Sequence, residues 1–468
     1  MQTKLKHRTS ITHSFSARAR LALCTLTACM VATLALALPT SAWANVLPTD
    51  IVLGSSVEDQ QLSVGQAPNL DCTYAILTDA DGNVFYERSA TTATKIASIT
   101  KIMTAIVAIE NSQLTDQVTI SQEAADIGES TASLEEGDVL DMESALKALL
   151  VPSGNDAAVA IAETIGMALG ADEYNAEGKF VELMNQKAAE LGCADTLFEN
   201  PHGLDDDAYE GDLHSTAADV ALISRYAMQN ELIRSIVGGG STTIYVNRGG
   251  EQTAVDLETT DMMLDLYSYT IGIKTGNTEA AGPCFSGAIS RDGKELYAVV
   301  LDSTSEEQRF YDCMELFDWF FNHLVSYQLC NTTEYVTASD GRTQTPVVAY
   351  VPHGDWVDKT FAATLSDTTA AVEVFDLNGN ISQEFNLEEV HGNVKAGDKV
   401  GTVTFMQHNE AICTLDVIAA EDCDKPGFFK RIGIWFDRLF RNIKGEAQVA
   451  EEVIVNTTPL IVDKSMLS

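Results

Sequence analysis

Three short elements carry side chains that together can move an acyl group. The first is Ser98-Ile99-Thr100-Lys101. Residues three apart share one side of a helix, so a serine in the first helical turn holds its hydroxyl near the lysine amine. The helix N-terminus adds a field that favours negative charge developing on that serine. The second element is Ser153-Gly154-Asn155, 55 residues after Ser98 and directly behind the apolar Leu149-Leu150-Val151-Pro152. The third is Lys274-Thr275-Gly276, 121 residues after Ser153 and preceded by Tyr269-Thr270-Ile271-Gly272-Ile273. That last stretch is a candidate strand whose glycine lets a ligand come close to the backbone. Each element alone has a plain structural explanation: a helix cap with a surface lysine, a polar turn, a strand end.

Taken together and in this order, the three resemble the motif set of penicillin-binding proteins and class A β-lactamases, with Gly154 where that set has Asp. The resemblance extends to Ala97–Ala105, to Ser153-Gly154-Asn155-Asp156-Ala157-Ala158, to Phe198-Glu199-Asn200-Pro201-His202-Gly203-Leu204, and to Gly272–Gly276 followed by Thr278 and Ala281-Gly282. On these residues the chain resembles the low-molecular-weight penicillin-binding proteins, the serine-type D-alanyl-D-alanine carboxypeptidases. The likeness runs from about Cys72 to Val325 and more weakly through a β-rich region where Val394–Gly401 is similar to the family's second domain.

The resemblance implies acyl transfer on peptidoglycan stem peptides ending in D-Ala-D-Ala, with β-lactams as covalent inhibitors and no cofactor or metal. Ser98 is then the nucleophile. Lys101 takes its proton, provided the pocket lowers the amine far below its reference pKa of about 10.4. Lys274 supplies like-charge pressure toward that end. Ser153 and Asn155 bond the substrate amide and relay a proton to the leaving amine. Lys274, Thr275 and Gly276 meet the terminal carboxylate, and the backbone N–H groups of Ser98 and Asn277 form an oxyanion hole. His202 and His214 read as structural histidines, and Arg309 as a surface salt bridge. Where relatives commonly carry Asn ahead of the third element, this chain has Glu258-Thr259-Thr260-Asp261, which leaves the substrate-facing rim open.

The elements that must position these groups follow from pattern. A hairpin is expected at Thr73–Thr78 and Val84–Glu87 around a Gly-containing turn. A helix follows from about Ser98 to Glu110, and helical patterns fill Met142 to about Asn230. Strands return at Thr242–Asn247, Gly287–Ser290 and Leu296–Leu301, closed by a helix from Glu306 to about Leu324. The predicted class is therefore α+β, helices on a mostly antiparallel sheet as in β-lactamase and D,D-peptidase folds. After Tyr327 short alternating segments at Val347–Tyr350, Ala371–Phe375, Val400–Phe405 and Ile412–Ile418 predict a small β-sandwich. The resulting division is a signal peptide at 1–44, a leader at 45–71, a catalytic domain at 72–327, a β-sandwich at 328–420, an amphipathic helix at 421–445 and a tail of unassigned role at 446–468.

A chain of 468 residues with 45% hydrophobic and 21% charged residues can bury a large core. Its net charge of −39 argues against nucleic acid as a partner. The N-terminus carries five Lys or Arg and no acid before an apolar run from Leu21 to Leu38 and the small-residue site Ala42-Trp43-Ala44. This reads as a secretory signal cleaved after Ala44, with a lipoprotein site at Cys29 and an uncleaved anchor as alternatives. Loss of the signal leaves seven scattered cysteines in no metal-like spacing, expected to be buried with at most one bridge among them.

Phe428–Lys444 places Phe428, Phe429, Ile432, Trp435, Phe436, Leu439, Phe440 and Ile443 on one face at about 100° per residue. Lys430, Arg431, Arg438, Arg441 and Lys444, opposed only by Asp437, lie elsewhere. An interfacial anchor on the extracytoplasmic face of a membrane accounts for a net +4 helix in so acidic a chain, and removal of Pro426–Ser468 is expected to free the enzyme from it. Two other functions are kept in view. A class A-like β-lactamase needs a glutamate to activate the deacylating water, and Glu182 has the wrong spacing for it. An inactive wall-binding homologue has no need of the intact Ser98, Lys101, Asn155 and Lys274.

Overall fold

The computed structural model describes residues 45–337 and 342–461. The expected signal peptide lies outside the described residues. The hairpin forms as β3 (Tyr74–Asp79) and β4 (Val84–Arg88), and both belong to a seven-stranded antiparallel sheet. The other members are β1 (Ile51–Val52), β2 (Ser55–Ser56), β9 (Thr270–Gly276), β10 (Cys284–Arg291) and β11 (Lys294–Leu301), in the order β2-β1-β4-β3-β11-β10-β9.

Alternation along β11 divides the molecule. Tyr297, Val299 and Leu301 enter one hydrophobic core, whereas Leu296, Ala298 and Val300 enter a second on the opposite face. A strand buried on both faces reads as a continuous apolar run, as Leu296–Leu301 does. The first core is filled by helices α1 (Lys101–Asn111), α2 (Met142–Leu150), α3 (Asn155–Ala168), α4 (Ala176–Leu191) and α5 (Ala217–Ala227). The second is covered by α6 (Gln308–His323), whose Phe310, Cys313, Phe317 and Phe320 recur at helical spacing on the sheet side. Asp141 caps α2 through the Ser144 amide at 2.8 Å, and Thr216 caps α5 through the Asp219 amide at 3.0 Å. This is the expected α+β arrangement. A smaller four-stranded sheet, β5 (Gln117–Thr119), β6 (Val139–Asp141), β7 (Thr242–Arg248) and β8 (Glu251–Leu257), flanks the helices.

The segment expected only to lead into the catalytic domain is part of it. Its β1 pairs with β4, and its Asp50 takes two hydrogen bonds from buried Arg88, at 3.0 and 2.7 Å. Arg88 also donates to the carbonyls of Leu70 and Cys72, so one guanidinium stitches the segment to the sheet.

Beyond α6, β12 (Leu324–Gln328) pairs with β17 (Ala371–Phe375), and β13 (Tyr335–Thr337) pairs with β14 (Gln344–Pro346). A six-stranded sheet follows in the order β18-β19-β20-β16-β15-β21. Its strands are β15 (Ala349–Pro352), β16 (Thr360–Leu365), β18 (Ile381–Leu387), β19 (Lys399–Gln407), β20 (Glu410–Ala419) and β21 (Val453–Ile454). These strands enclose a third core that includes Val351, Phe361, Val403 and Phe405. Helix α7 spans Phe428–Lys444 and precedes β21, so the tail returns to the sheet after the helix. Among the described residues no helix is long and apolar enough to cross a membrane. The seven cysteines among them are all free, which removes the bridge left open by the sequence; five are buried, and Cys330 and Cys413 are half-buried.

Candidate active site

Ser98 sits in a single 3-10 turn, Ala97–Thr100, that leads into α1. The serine therefore precedes the α-helix instead of lying in its first turn, yet the spacing argument survives. Lys101 Nζ lies 2.8 Å from Ser98 Oγ, 2.7 Å from Asn155 Oδ1 and 2.7 Å from the His202 carbonyl oxygen. The Asn155 amide is oriented by donation of its Nδ2 to the Gly128 carbonyl at 3.1 Å, which leaves its oxygen toward the lysine. Burial first, and the charge of Lys274 second, hold the Lys101 amine well below its usual range; Asp156 opposes them.

The second element turns the chain sharply into α3. Ser153 has φ of +67°, a left-handed conformation that is uncommon for a residue with a side chain. Its hydroxyl is buried and makes no hydrogen bond among the described residues. Asp156 accepts from the amides of Ala132, Leu134 and Ala157, which fixes the facing loop against the start of α3.

The third element is β9, the terminal strand of the main sheet, with β10 as its sheet partner. Lys274 is buried and donates to the Thr275 carbonyl at 2.9 Å, and the Thr275 and Thr260 hydroxyls lie 2.6 Å apart. Burial and then the Arg309 charge bring the Lys274 amine down to about 7, while Asp261 resists. The glycine of this element is dictated by space: a Cβ at Gly276 would lie 2.9 Å from the Ile96 carbonyl oxygen and 3.2 Å from the Ile99 nitrogen. Close packing of β9 on the Ser98 turn thus brings the first and third elements together. The same logic holds Gly203, whose φ is +90° and whose Cβ would fall 2.0 Å from the Ala97 carbonyl oxygen.

The first two elements each give one residue to a common cleft, and the third reaches it through Asn277, the residue that follows it, while Lys274 and Thr275 are buried behind. A cleft of about 310 Å³ is lined by Ser98, Asn155 and Asn277 together with Ser130, Thr278 and the rim carboxylates Glu129, Asp206 and Glu279.

Several participants escaped the sequence reading. Arg309 is more than a surface salt bridge: its Nη2 lies 3.6 Å from the exposed Glu306, but the residue is itself only 5% exposed and donates through Nη1 to the Gly276 carbonyl at 2.9 Å. It sits far along the chain in α6, which packs on β10 and β11, so only the fold that brings the start of that helix to the end of β9 reveals the contact. His202 is structural in its ring, where Nδ1 accepts from the Leu204 amide at 3.1 Å and burial holds the imidazole down at about 3. Its backbone carbonyl is the lysine's third partner. Asn200 sets that carbonyl by accepting from the amides of His202 and Gly203 and donating to the Leu204 carbonyl. Asp261, in the segment that departs from relatives, is buried with one carboxyl oxygen unpartnered among the described residues, and burial raises it to about 7.

A family model described as D-alanyl-D-alanine carboxypeptidase matches residues 61–305. Among curated proteins, the chain is 27% identical over 374 residues to the D-alanyl-D-alanine carboxypeptidase DacF of Bacillus subtilis, covering 77% of this chain and 89% of that protein. It is 31% identical over 253 residues to a D-alanyl-D-alanine carboxypeptidase of Streptomyces sp. strain K15, covering 52% and 85%. Among solved structures, the Streptomyces K15 DD-transpeptidase superposes with a TM-score of 0.51 at 30% identity, over 54% of this chain and 98% of that one. The Francisella tularensis DacD structure, at 23% identity and a TM-score of 0.52, shares the fold over 76% of this chain and 94% of its own.

Proposed function

Since this chain belongs to the D-alanyl-D-alanine carboxypeptidase family, we propose that its cleft removes the terminal D-Ala from peptidoglycan stem peptides through an acyl-enzyme on Ser98. The observation that carries the assignment of roles is the environment of Lys101. A neutral amine has two N–H bonds and one lone pair. Asn155 Oδ1 and the His202 carbonyl can only accept, so they claim both N–H groups, and the lone pair is left to face the Ser98 hydroxyl. Burial, with the Lys274 charge beside it, shifts the amine toward that neutral form.

Ser98 Oγ then attacks the carbonyl between the two D-alanines as its proton passes to Lys101. The oxyanion is met by the backbone N–H groups of Ser98 and Asn277. The unpartnered Ser153 hydroxyl suits a relay of the proton to the departing D-Ala amine. Lys274 and Thr275 receive the substrate carboxylate, with Arg309 behind Gly276 adding positive potential. Because β9 ends its sheet, an extended peptide can lie along it as a further strand. Water attack on the acyl-enzyme completes hydrolysis, and attack by an amine gives transpeptidation from the same intermediate. β-Lactams acylate Ser98 by the same route. The β-lactamase and inactive-homologue readings are not favoured.

Residues 328–420 are read as the β-sandwich module. Residues 1–44 are read as the export signal, and α7 as an interfacial anchor on the extracytoplasmic side of a membrane. Support for the anchor is the exposure of every apolar residue on one face of α7, from Phe429 at 86% to Leu439 at 42%. The deciding experiment is D-alanine release from a pentapeptide ending in D-Ala-D-Ala, run beside labelling with a fluorescent penicillin. Wild type is expected to do both and Ser98→Ala neither; equal release by the two proteins overturns the assignment.

A further inference from the structure

Helix α7 is turned opposite to an ordinary surface helix. Its half-buried positions are Ile434, Arg438 and Arg441, spaced four and three apart, while its aromatic face looks into solvent. The half-buried stripe is docked. Arg438 Nη2 donates to the carbonyls of Gly354 and Trp356, and Arg441 pairs with Asp358 at 2.6 Å.

Both ends of the helix are also fixed. Ahead of it, the Cys423 amide donates to the Val394 carbonyl at 2.9 Å and the Trp356 indole to the Asp424 carbonyl at 3.0 Å. Beyond it, Gly445 turns the chain with φ of +72°, and Val453–Ile454 pairs with Ala349 and Tyr350. The next residue but one is buried: Asn456 Nδ2 donates to the Leu329 carbonyl and to Gln383 Oε1, and its Oδ1 accepts from the Asn331 amide at 2.7 Å. Tyr327 Oη donates to the Pro459 carbonyl at 3.0 Å.

We infer that residues 446–461 clasp the far end of α7, so that the helix is a pre-folded foot of the β-module held apolar side outward before it meets an anionic lipid surface. The inference rests on the anchor reading and adds a role for the tail. An amphipathic segment fixed at one end only gains most of its helicity when its apolar face is covered. Here the polar stripe is covered instead, by the protein. Two of the five cations are spent on that dock, which leaves Lys430, Arg431 and Lys444 exposed for lipid headgroups. Charge decides between occupants: a second copy of this chain, at −39, would bring mostly carboxylates, whereas the other surfaces of the chain repel the same anionic lipids that these cations attract. The clasp also corrects the expectation attached to removing Pro426–Ser468, since that cut deletes a strand and a buried asparagine along with the helix.

Hydrogen exchange on the full mature chain tests this, with and without vesicles of phosphatidylglycerol and phosphatidylethanolamine. Without lipid, the amides of residues 432–442 are expected to exchange at least about tenfold more slowly than in a free peptide. Arg438→Ala/Arg441→Ala should lose that protection while still sedimenting with vesicles. Ile432→Glu/Phe436→Glu should keep it and stay in the supernatant. Peptide-like exchange in wild type until vesicles are added overturns the pre-folded foot and leaves the anchor reading standing. Protection without any vesicle binding overturns the anchor reading itself, and protection that appears only as protein concentration rises assigns the face to a second copy and overturns both.

Discussion

Replacing Gly203 by alanine tests whether close packing, as well as chemistry, positions Ser98. The added Cβ would sit 2.0 Å from the Ala97 carbonyl oxygen, against the 3.4 Å at which ordinary contact begins, so one backbone must retreat by about 1.4 Å. Ala97 precedes the nucleophile, and the Gly203 peptide follows the His202 carbonyl that holds Lys101. Either retreat disturbs the pair. A displacement near 1 Å costs on the order of 10²-fold in rate. The φ of +90° adds about 1–2 kcal/mol of strain on its own. Gly192 separates the two effects: its φ is +84°, but nothing lies within 4 Å of its added Cβ. Gly192→Ala should therefore lower the melting temperature by a few degrees and leave acylation unchanged. Gly203→Ala should lower it further and slow labelling by fluorescent penicillin about 100-fold. Wild-type acylation in Gly203→Ala would refute the reasoning, because the loop would then be shown to yield without moving the site.

Further outcomes follow from named groups. The pH profile of kcat/KM for peptide should have two limbs. Lys101 must be neutral to act, so activity falls as pH drops through its depressed pKa; Lys274 must be charged to hold a carboxylate, so activity also falls as pH rises through about 7. A profile still rising above pH 9 contradicts the role of Lys274. Arg88→Met should cost about 3–5 kcal/mol in denaturant unfolding, since it strands the Asp50 carboxylate in the sheet; a loss under 1 kcal/mol would mean the 45–71 segment is dispensable. Asn456→Ala leaves three partners unsatisfied, and each buried orphan costs about 1–3 kcal/mol. Unfolding of the β-module should shift accordingly, with Ser98 acylation retained.

What the sequence made legible was whatever local pattern determines. The β3–β4 hairpin, α2 at Met142–Leu150 and β17 at Ala371–Phe375 stand where periodicity put them. Lys101 and Ser98 could be paired because helical spacing alone brings them together. Strands β8 and β18 were missed because their half-exposed faces alternate polar residues without an apolar run. The His202 carbonyl had no signal, since a backbone oxygen carries no residue type, and Arg309 looked like any surface arginine until the fold brought the start of α6 to the end of β9. Residues 45–71 lacked a period because their two short strands are held by Arg88 and by edge pairing instead of by a repeating apolar face.

The seven free thiols among the described residues give the protein a built-in record of its own opening. Burial raises the thiols of Cys72, Cys193, Cys284 and Cys313, so little thiolate forms and reagents find neither access nor nucleophile. Cys330 and Cys413, half-buried in the β-module, are the ones a maleimide reaches first by access, although partial burial raises the Cys330 thiol as well. Mass spectrometry of alkylated protein would therefore count two adducts among these seven positions for an intact molecule, and each additional one would date the moment a particular core came apart, without any engineered probe.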